Sequence, residues 1–151
     1  MKISTSLARQ ALAILRTQLR ANNDMGLAVY SGDVPVDADA PIPNNGGGLL
    51  GWFSDAGNPI DFATPTNNTV GIAPGAVWTC QPLAAGTATY FRVQQRYTDG
   101  NGQVGYDTAP TPRLQGTVGT SGADLIMADP VFTPGTAKEI RNFLLTLPLA
   151  S

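Results

Sequence analysis

Histidine is absent from the chain, and glutamate and cysteine occur once each, at Glu139 and Cys80. Without histidine, the usual general base and metal ligand near neutral pH is missing. A zinc centre would have to be assembled from one thiolate and aspartates, unlike the His- and Cys-rich sets zinc ordinarily takes. A single cysteine excludes a disulfide within the chain and suits folding in a reducing cytoplasm. Charge is scarce as well. Charged residues make up 13% of the chain, about half the roughly 25% usual for soluble proteins. The surface must therefore be covered by Thr, Ser, Asn, Gln and Gly, or else be buried in an assembly.

Long apolar runs are missing too. The opening "MKISTSLARQALAILRT" starts with Lys2, but Arg9 and Gln10 interrupt the stretch that a signal peptide needs. No segment approaches the length of a membrane span. The net charge of −2 argues against a general nucleic-acid partner. These absences lead us to expect a protein with no membrane partner, no nucleic-acid partner and no required cofactor or metal.

What is present bounds the fold. With 151 residues and 42% apolar content, the chain is expected to form one domain, residues 1–151, around a single core. Seventeen glycines and twelve prolines favour short strands and many turns over long helices. The exception is the start. Leu7, Ala8, Ala11, Leu12, Ile14, Leu15 and Leu19 fall on one stripe at spacings of three and four, which predicts an amphipathic helix over residues 4–22. Ser4, Thr5 or Ser6 can cap it, and "NNDMG" at 22–26 supplies a stop. If the whole stripe packs inward, Arg9, Arg16 and Arg20 point outward as interface candidates. Charge sign is split along the chain: these bases precede any acid, whereas Asp24, Asp33, Asp37, Asp39, Asp55 and Asp61 follow with no base among them. The split fits contact between copies or with a partner, and equally two separately solvated patches.

After Gly26 the pattern changes to short runs between turn residues. "GLAVYS" reads as a strand, followed by "GDVPVDADAPIPNNGGG", a loop at 32–48 expected to lie extended on the surface. "LLGWFSDAGNPIDF" places Leu50, Trp52 and Ser54 on one face, and "TVGIA" and "AVWTCQ" flank a Pro74-Gly75 turn. "TATYFRVQQRYT" (87–98) is the longest strand candidate, alternating Tyr90, Arg92, Gln94 and Arg96 with Phe91, Val93 and Tyr97. "RLQGTVG", "ADLIMA" and "AKEIRNFLLTL" follow, the last read as one strand. One helix and then about eight strands, within residues 26–148, outline a mainly β, jelly-roll-like β-sandwich with one N-terminal amphipathic α-helix.

Four stretches could carry chemistry. "GTVGTSGADL" has glycines at 116, 119 and 122, but lacks the lysine of a P-loop, and "ADLIMADP" after it is too short for the helix of a dinucleotide site. A strand, a Gly-Thr-Ser-Gly turn and a second strand is the better account, with Gly122 at positive φ. "DGNG" at 99–102 starts like a calcium loop yet lacks its later oxygens, and reads as a hairpin turn. Asp37 and Asp39 are the closest carboxylate pair, in a loop where an exposed turn explains them better than acid–base catalysis. Trp52, Trp78, Tyr90 and Phe91 could stack on sugars, although core packing is the commoner fate of aromatics in a sandwich. No catalytic constellation emerges, and no enzyme is expected.

The order of these pieces resembles a family: the small capsid cement, or decoration, proteins of tailed bacteriophages, encoded beside the major capsid protein. Such proteins start with a Ser/Thr-capped Ala-rich helix, here "STSLARQALAILRTQLR", and continue with a strand and Gly turn, here "GLAVYSGDVP". An aromatic-Arg-Val strand follows, here "YFRV", then a turn like "GTVGTSGADL" and a closing apolar strand, here "FLLTLP". Residues 44–68 and 97–113 are longer than in the family. The resemblance implies a virion protein, made in the host cytoplasm, that binds the outside of the head and bridges neighbouring subunits. The major capsid protein would be its partner, with a homodimer or homotrimer on the lattice. Arg9, Arg16, Arg20, Asp37 and Asp39 are the interface candidates. A tail, neck or fibre component, binding a host-surface carbohydrate, is the alternative, and a carbohydrate-active enzyme is disfavoured by the missing histidine.

Overall fold

Ser4 starts the helix. Its Oγ accepts a hydrogen bond from the Leu7 amide at 3.2 Å, satisfying one of the donors that a helix leaves open at its first turn. In the computed structural model, which describes residues 3–20, 25–42, 48–95 and 112–147, helix α1 spans Thr5–Arg20. The stop signal at 22–24 lies outside the described residues. The helix packs inward through Ala8, Leu12 and Leu19, with Leu15 partly buried beside them. Leu7 and Ile14, expected on the same inward stripe, are instead 53% and 65% exposed. The apolar sector is simply wider than the surface that meets it, and the half centred on Leu12 wins because it faces the aromatic core.

Among the described residues, eleven short strands follow: β1 (Met25–Tyr30), β2 (Leu49–Asp55), β3 (Thr69–Gly71), β4 (Trp78–Cys80), β5 (Gly86–Thr87), β6 (Tyr90–Gln95), β7 (Leu114–Gly119), β8 (Leu125–Ile126), β9 (Val131–Phe132), β10 (Lys138–Ile140) and β11 (Leu144–Thr146). Seven form one sheet in the order β10-β4-β2-β1-β6-β7-β8, while β11 pairs with β3 and β5 with β9 as separate ribbons. All pairs are antiparallel except β7 with β8. The large sheet curls, so that Leu125 from one edge and Ile140 from the other enter the same core. The fold is thus mainly β, a β-sandwich with one N-terminal helix, as the sequence predicts. Two expected strands are each divided: the stretch 87–98, whose residues 96–98 lie outside the described ones, gives the end of β5 together with β6, and "AKEIRNFLLTL" gives β10 and β11. In the second case Phe143 turns into the core between them, sending the two halves to different sheets.

At the centre sit Phe62, Trp78, Phe91 and Phe143. Neighbouring ring centroids are 5.4–6.2 Å apart, and Phe62–Trp78 and Phe91–Phe143 meet edge to face, the arrangement aromatic quadrupoles favour. Around them pack Leu12 and Leu19 from α1, Leu27 and Val29 from β1, and Phe53 from β2. A bulge opposite Val29 and Tyr30 interrupts the alternation of β2. It turns Leu50 into this core while Trp52 joins the other face of the sheet, so the two do not share a face as the sequence alone suggests.

An isolated helix of this length is marginal in water, so its docking rests on the few side chains it buries. Leu12→Ala is expected to lower unfolding free energy by about 2–5 kcal/mol, whereas Ile14→Ser changes it by no more than about 0.5 kcal/mol. Urea unfolding of the two variants checks this; equal losses would mean that Ile14 also packs inward.

Candidate functional site

Strand β1 is buried along its whole length, and β6 along all but its last residue. A sheet covered on one face alone would expose every second side chain, so something covers the other face. That cover is residues 32–42 of the 32–48 loop expected to lie extended on the surface, whose residues 43–47 lie outside the described ones. Ile42 is buried in a second cluster with Ala28, Tyr30 and Tyr90, flanked by Leu49 and Trp52. Tyr30 and Tyr90 stack nearly parallel, 4.9 Å between centroids.

Arg92 fastens this strap. It is buried, with Nη2 donating to the carbonyls of Ala40 at 2.7 Å and Asp37 at 3.1 Å, and Nε donating to Gln115 Oε1 at 2.8 Å. Gln115 in turn donates from Nε2 to Pro35 O, and Thr89 Oγ1 donates to Gly32 O. Asp37 Oδ1 accepts from the amides of Asp39 and Ala40, curling the strap back on itself. Asp37 and Asp39 are therefore parts of one turn, with no cleft between them. Burial lowers the pKa of Arg92, opposed by the neighbouring Tyr30 and Tyr90; burial raises both phenols. The guanidinium stays charged, being far too basic to release its proton near neutral pH. Gln94 donates to the Tyr30 hydroxyl at 3.2 Å.

Comparison with protein-family models, with curated proteins and with solved structures gives no match. The site must be read from its own chemistry.

The glycine-rich corner has a geometric explanation. Gly116 lies under the Phe91 ring, where a Cβ would come within 2.7 Å of the ring and 2.9 Å of Asp124 Cβ. Gly122 has φ of 63°, in the left-handed region that the sequence assigns to it. Asp124 closes the turn, its Oδ2 accepting from Thr117 N at 2.8 Å and Thr117 Oγ1 at 3.0 Å. A carboxylate thus occupies the amide that a phosphate would need. The two strands run parallel, Val118 opposite Leu125, so the corner is a tight loop and not a hairpin.

The remaining candidates scatter. Trp78 and Phe91 belong to the main core, Trp52 and Tyr90 to the opposite face, which leaves no shared aromatic platform. Arg16 donates through Nε to Phe62 O at 2.7 Å, and Arg20 pairs with Asp61 at 2.9 Å. Arg16 is half-buried and so does not point outward as expected; Arg20 is exposed but paired within the chain, and Arg9 is exposed and without a hydrogen bond or ion pair to the described residues. Cys80 is buried, its thiol pushed up to about 11 by burial. No three His, Cys, Asp or Glu residues gather among the described residues, and "DGNG" at 99–102 lies outside them. A groove of about 380 Å³ separates β8 from β10, and Lys138 spans it to Asp129 at 2.6 Å. No described helix is long and apolar enough to cross a membrane.

Sequence reasoning missed Gln94, Gln115, Thr89 and Asp124 as structural polar groups. For Gln94 a signal existed: it shares the alternation of Tyr90 and Arg92 in a strand too apolar on its other side to be an edge.

Removing the cation should free the strap. Arg92→Met leaves two carbonyls and Gln115 Oε1 without a donor, at about 1–3 kcal/mol for each acceptor left unpaired. Hydrogen exchange at Asp39 and Ala40 should quicken, and Arg92→Lys should not restore protection because it lacks the fork. Unchanged exchange would separate strap order from Arg92. At the corner, Gly122→Ala is expected to cost about 1 kcal/mol by chemical denaturation. Specific ATP binding by the wild type, lost in this variant, would reinstate a phosphate site.

Proposed function

We propose that the chain is a structural virion protein of a tailed bacteriophage that cements the capsid. It binds the outer surface, bridges neighbouring major capsid protein subunits and stabilises the DNA-filled head. The observation that carries this reading is where the chain's hydrogen-bonding side chains are spent. Arg92, Gln115, Thr89, Asp37 and Asp124 all hold loops onto the sheet, and none converges with another on a cavity. A molecule so arranged presents pinned loops as surfaces for a partner. The order of its motifs resembles that of cement proteins, as set out above.

The physical task fits such a molecule. A lattice repeats one surface many times, so a rigid protein that touches two subunits gains from effective concentration what each small interface lacks. Low charge suits a protein whose surfaces are covered in the assembly, where unpaired charges would be costly to desolvate.

Undecorated heads of the parent phage, incubated with purified protein, should bind it at a fixed ratio to the major capsid protein, and decorated heads should resist heat release of DNA at higher temperature. Cryo-electron microscopy of the virion gives the location directly. Density confined to the tail, neck or fibres, at a handful of copies, would replace the capsid reading with the tail reading.

A further inference from the structure

The strap over β1 and β6 divides its groups between inside and outside. The carbonyls of Gly32, Pro35, Asp37 and Ala40 accept hydrogen bonds from Thr89, Gln115 and Arg92 beneath them. Between these pins, Asp33, Val34, Val36 and Asp39 are exposed. Val36 is 93% exposed, the most of any large apolar side chain among the described residues, and Val34 is 44% exposed. Pro35, between the two valines, fixes its own φ and restricts Val34 to extended backbone. The valines are thus held outward by bonds made behind them. A tip already fixed in one arrangement loses little freedom on binding.

The charge beside the valines decides what can cover them. Asp33, Asp37 and Asp39 give residues 32–42 three carboxylates and no base. Asp37 is engaged with strap amides, while Asp33 and Asp39 form no ion pair with the described residues. This face repels phosphate backbones and anionic lipid headgroups, which excludes nucleic acid and an acidic membrane as its partner. A second copy is poorly equipped to meet it. Among the described residues Arg20, Lys138 and Arg141 are paired within the chain, and Arg9 alone is an exposed base outside an ion pair. What fits is a different protein, whose surface sets several basic side chains around a shallow apolar recess. Such complementarity steers and registers an interface.

We propose that the strap is the docking surface for the major capsid protein. Val34 and Val36 enter an apolar recess on the outside of the shell, and Asp33 and Asp39 pair with arginines or lysines at its rim. The identity of the partner rests on the capsid reading, whereas the chemistry of the contact comes from the strap. A tip of two valines and two carboxylates covers less than the roughly 800 Å² per partner that a stable two-protein contact buries. One such contact is therefore weak alone and holds through the effective concentration that a second contact on the same lattice provides.

Titration of undecorated heads with purified protein, across a salt series, tests it with two variants: Val34→Ser/Val36→Ser and Asp33→Asn/Asp39→Asn. All four positions are exposed and none supplies a pinned carbonyl. Both variants should therefore keep the wild-type melting temperature and the exchange protection of the amides at 39 and 40. Wild-type protein should bind more weakly as salt rises. The Asn variant should need about tenfold more protein for half-occupancy at low salt and approach wild type at high salt. The Ser variant should need about tenfold more at every salt concentration. A benzophenone side chain placed at position 36 should, on irradiation of decorated heads, cross-link to the major capsid protein. If wild type fills the heads and either variant matches it at low salt, the strap is not the docking surface, while the capsid reading stands. An Asn variant that binds more tightly than wild type would overturn the strap assignment too, since the rim would then be acidic. Heads that take up no wild-type protein at any salt concentration would overturn both.

Discussion

A guanidinium under a loop must be surrounded by oxygen, and the second face of this sheet is organised around that requirement. Arg92 is 2% exposed and no described carboxylate forms a salt bridge with it. Its charge is balanced by the dipoles of two strap carbonyls and one glutamine amide. An ion buried without such partners would cost several kcal/mol, so the strap cannot leave without making the sheet unstable, and the sheet cannot form in this state without drawing in the strap. The interaction therefore does two things. It covers Tyr30 and Tyr90, and it fixes a segment whose Pro, Asp and Gly content would otherwise leave it conformationally free.

The edges of the sheet are handled by a second, weaker device. Strands β8 and β10 are two and three residues long, too short to template a long added strand. Lys138 crosses between them, bonding Asp129 through both its carboxylate and its carbonyl and lying 5.6 Å from the centre of the Phe132 ring. The Lys138 ammonium and the Val131 amide hold the Asp129 carboxyl below the usual carboxylate range. Its contribution is present above that range and disappears as pH falls through the lowered value. The carboxylate is exposed, so the clasp is weak in energy. Its placement matters more than its strength, since it joins β10 to the segment between β8 and β9.

How much of this was legible beforehand depends on the range of the interactions involved. Helix α1 was legible because its period, its Ser4 cap and its Leu12 and Leu19 anchors are local. Gly122 was legible because a turn of that composition needs a residue at positive φ. The strap was not, because its pins come from Thr89 and Gln115, 57 and 80 residues away from the carbonyls they bind. Nothing in "GDVPVDADAPI" separates a pinned loop from a free one. The width of the helix stripe misled for a similar reason: periodicity gives the apolar sector, while only the shape of the partner surface decides which part is buried. Arg16 and Arg20 then follow the helix rotation to Phe62 O and Asp61.

That rotation also explains the distribution of charge. The chain spends its few ionic groups at joints: Arg20 with Asp61 where the helix meets the segment before β3, Lys138 with Asp129 at the open seam, Asp124 at the glycine corner. The first two pair opposite charges, and Asp124 is held by the Thr117 amide and hydroxyl. Among the described charges without an ion pair, Arg9 lies on the helix side of the sheet and the strap aspartates on the other. A molecule with scattered residual charge would repel or attract its copies in no particular orientation. One with opposite signs on opposite faces has a direction built into it, and that polarity comes from the two covers that the buried central strands demand.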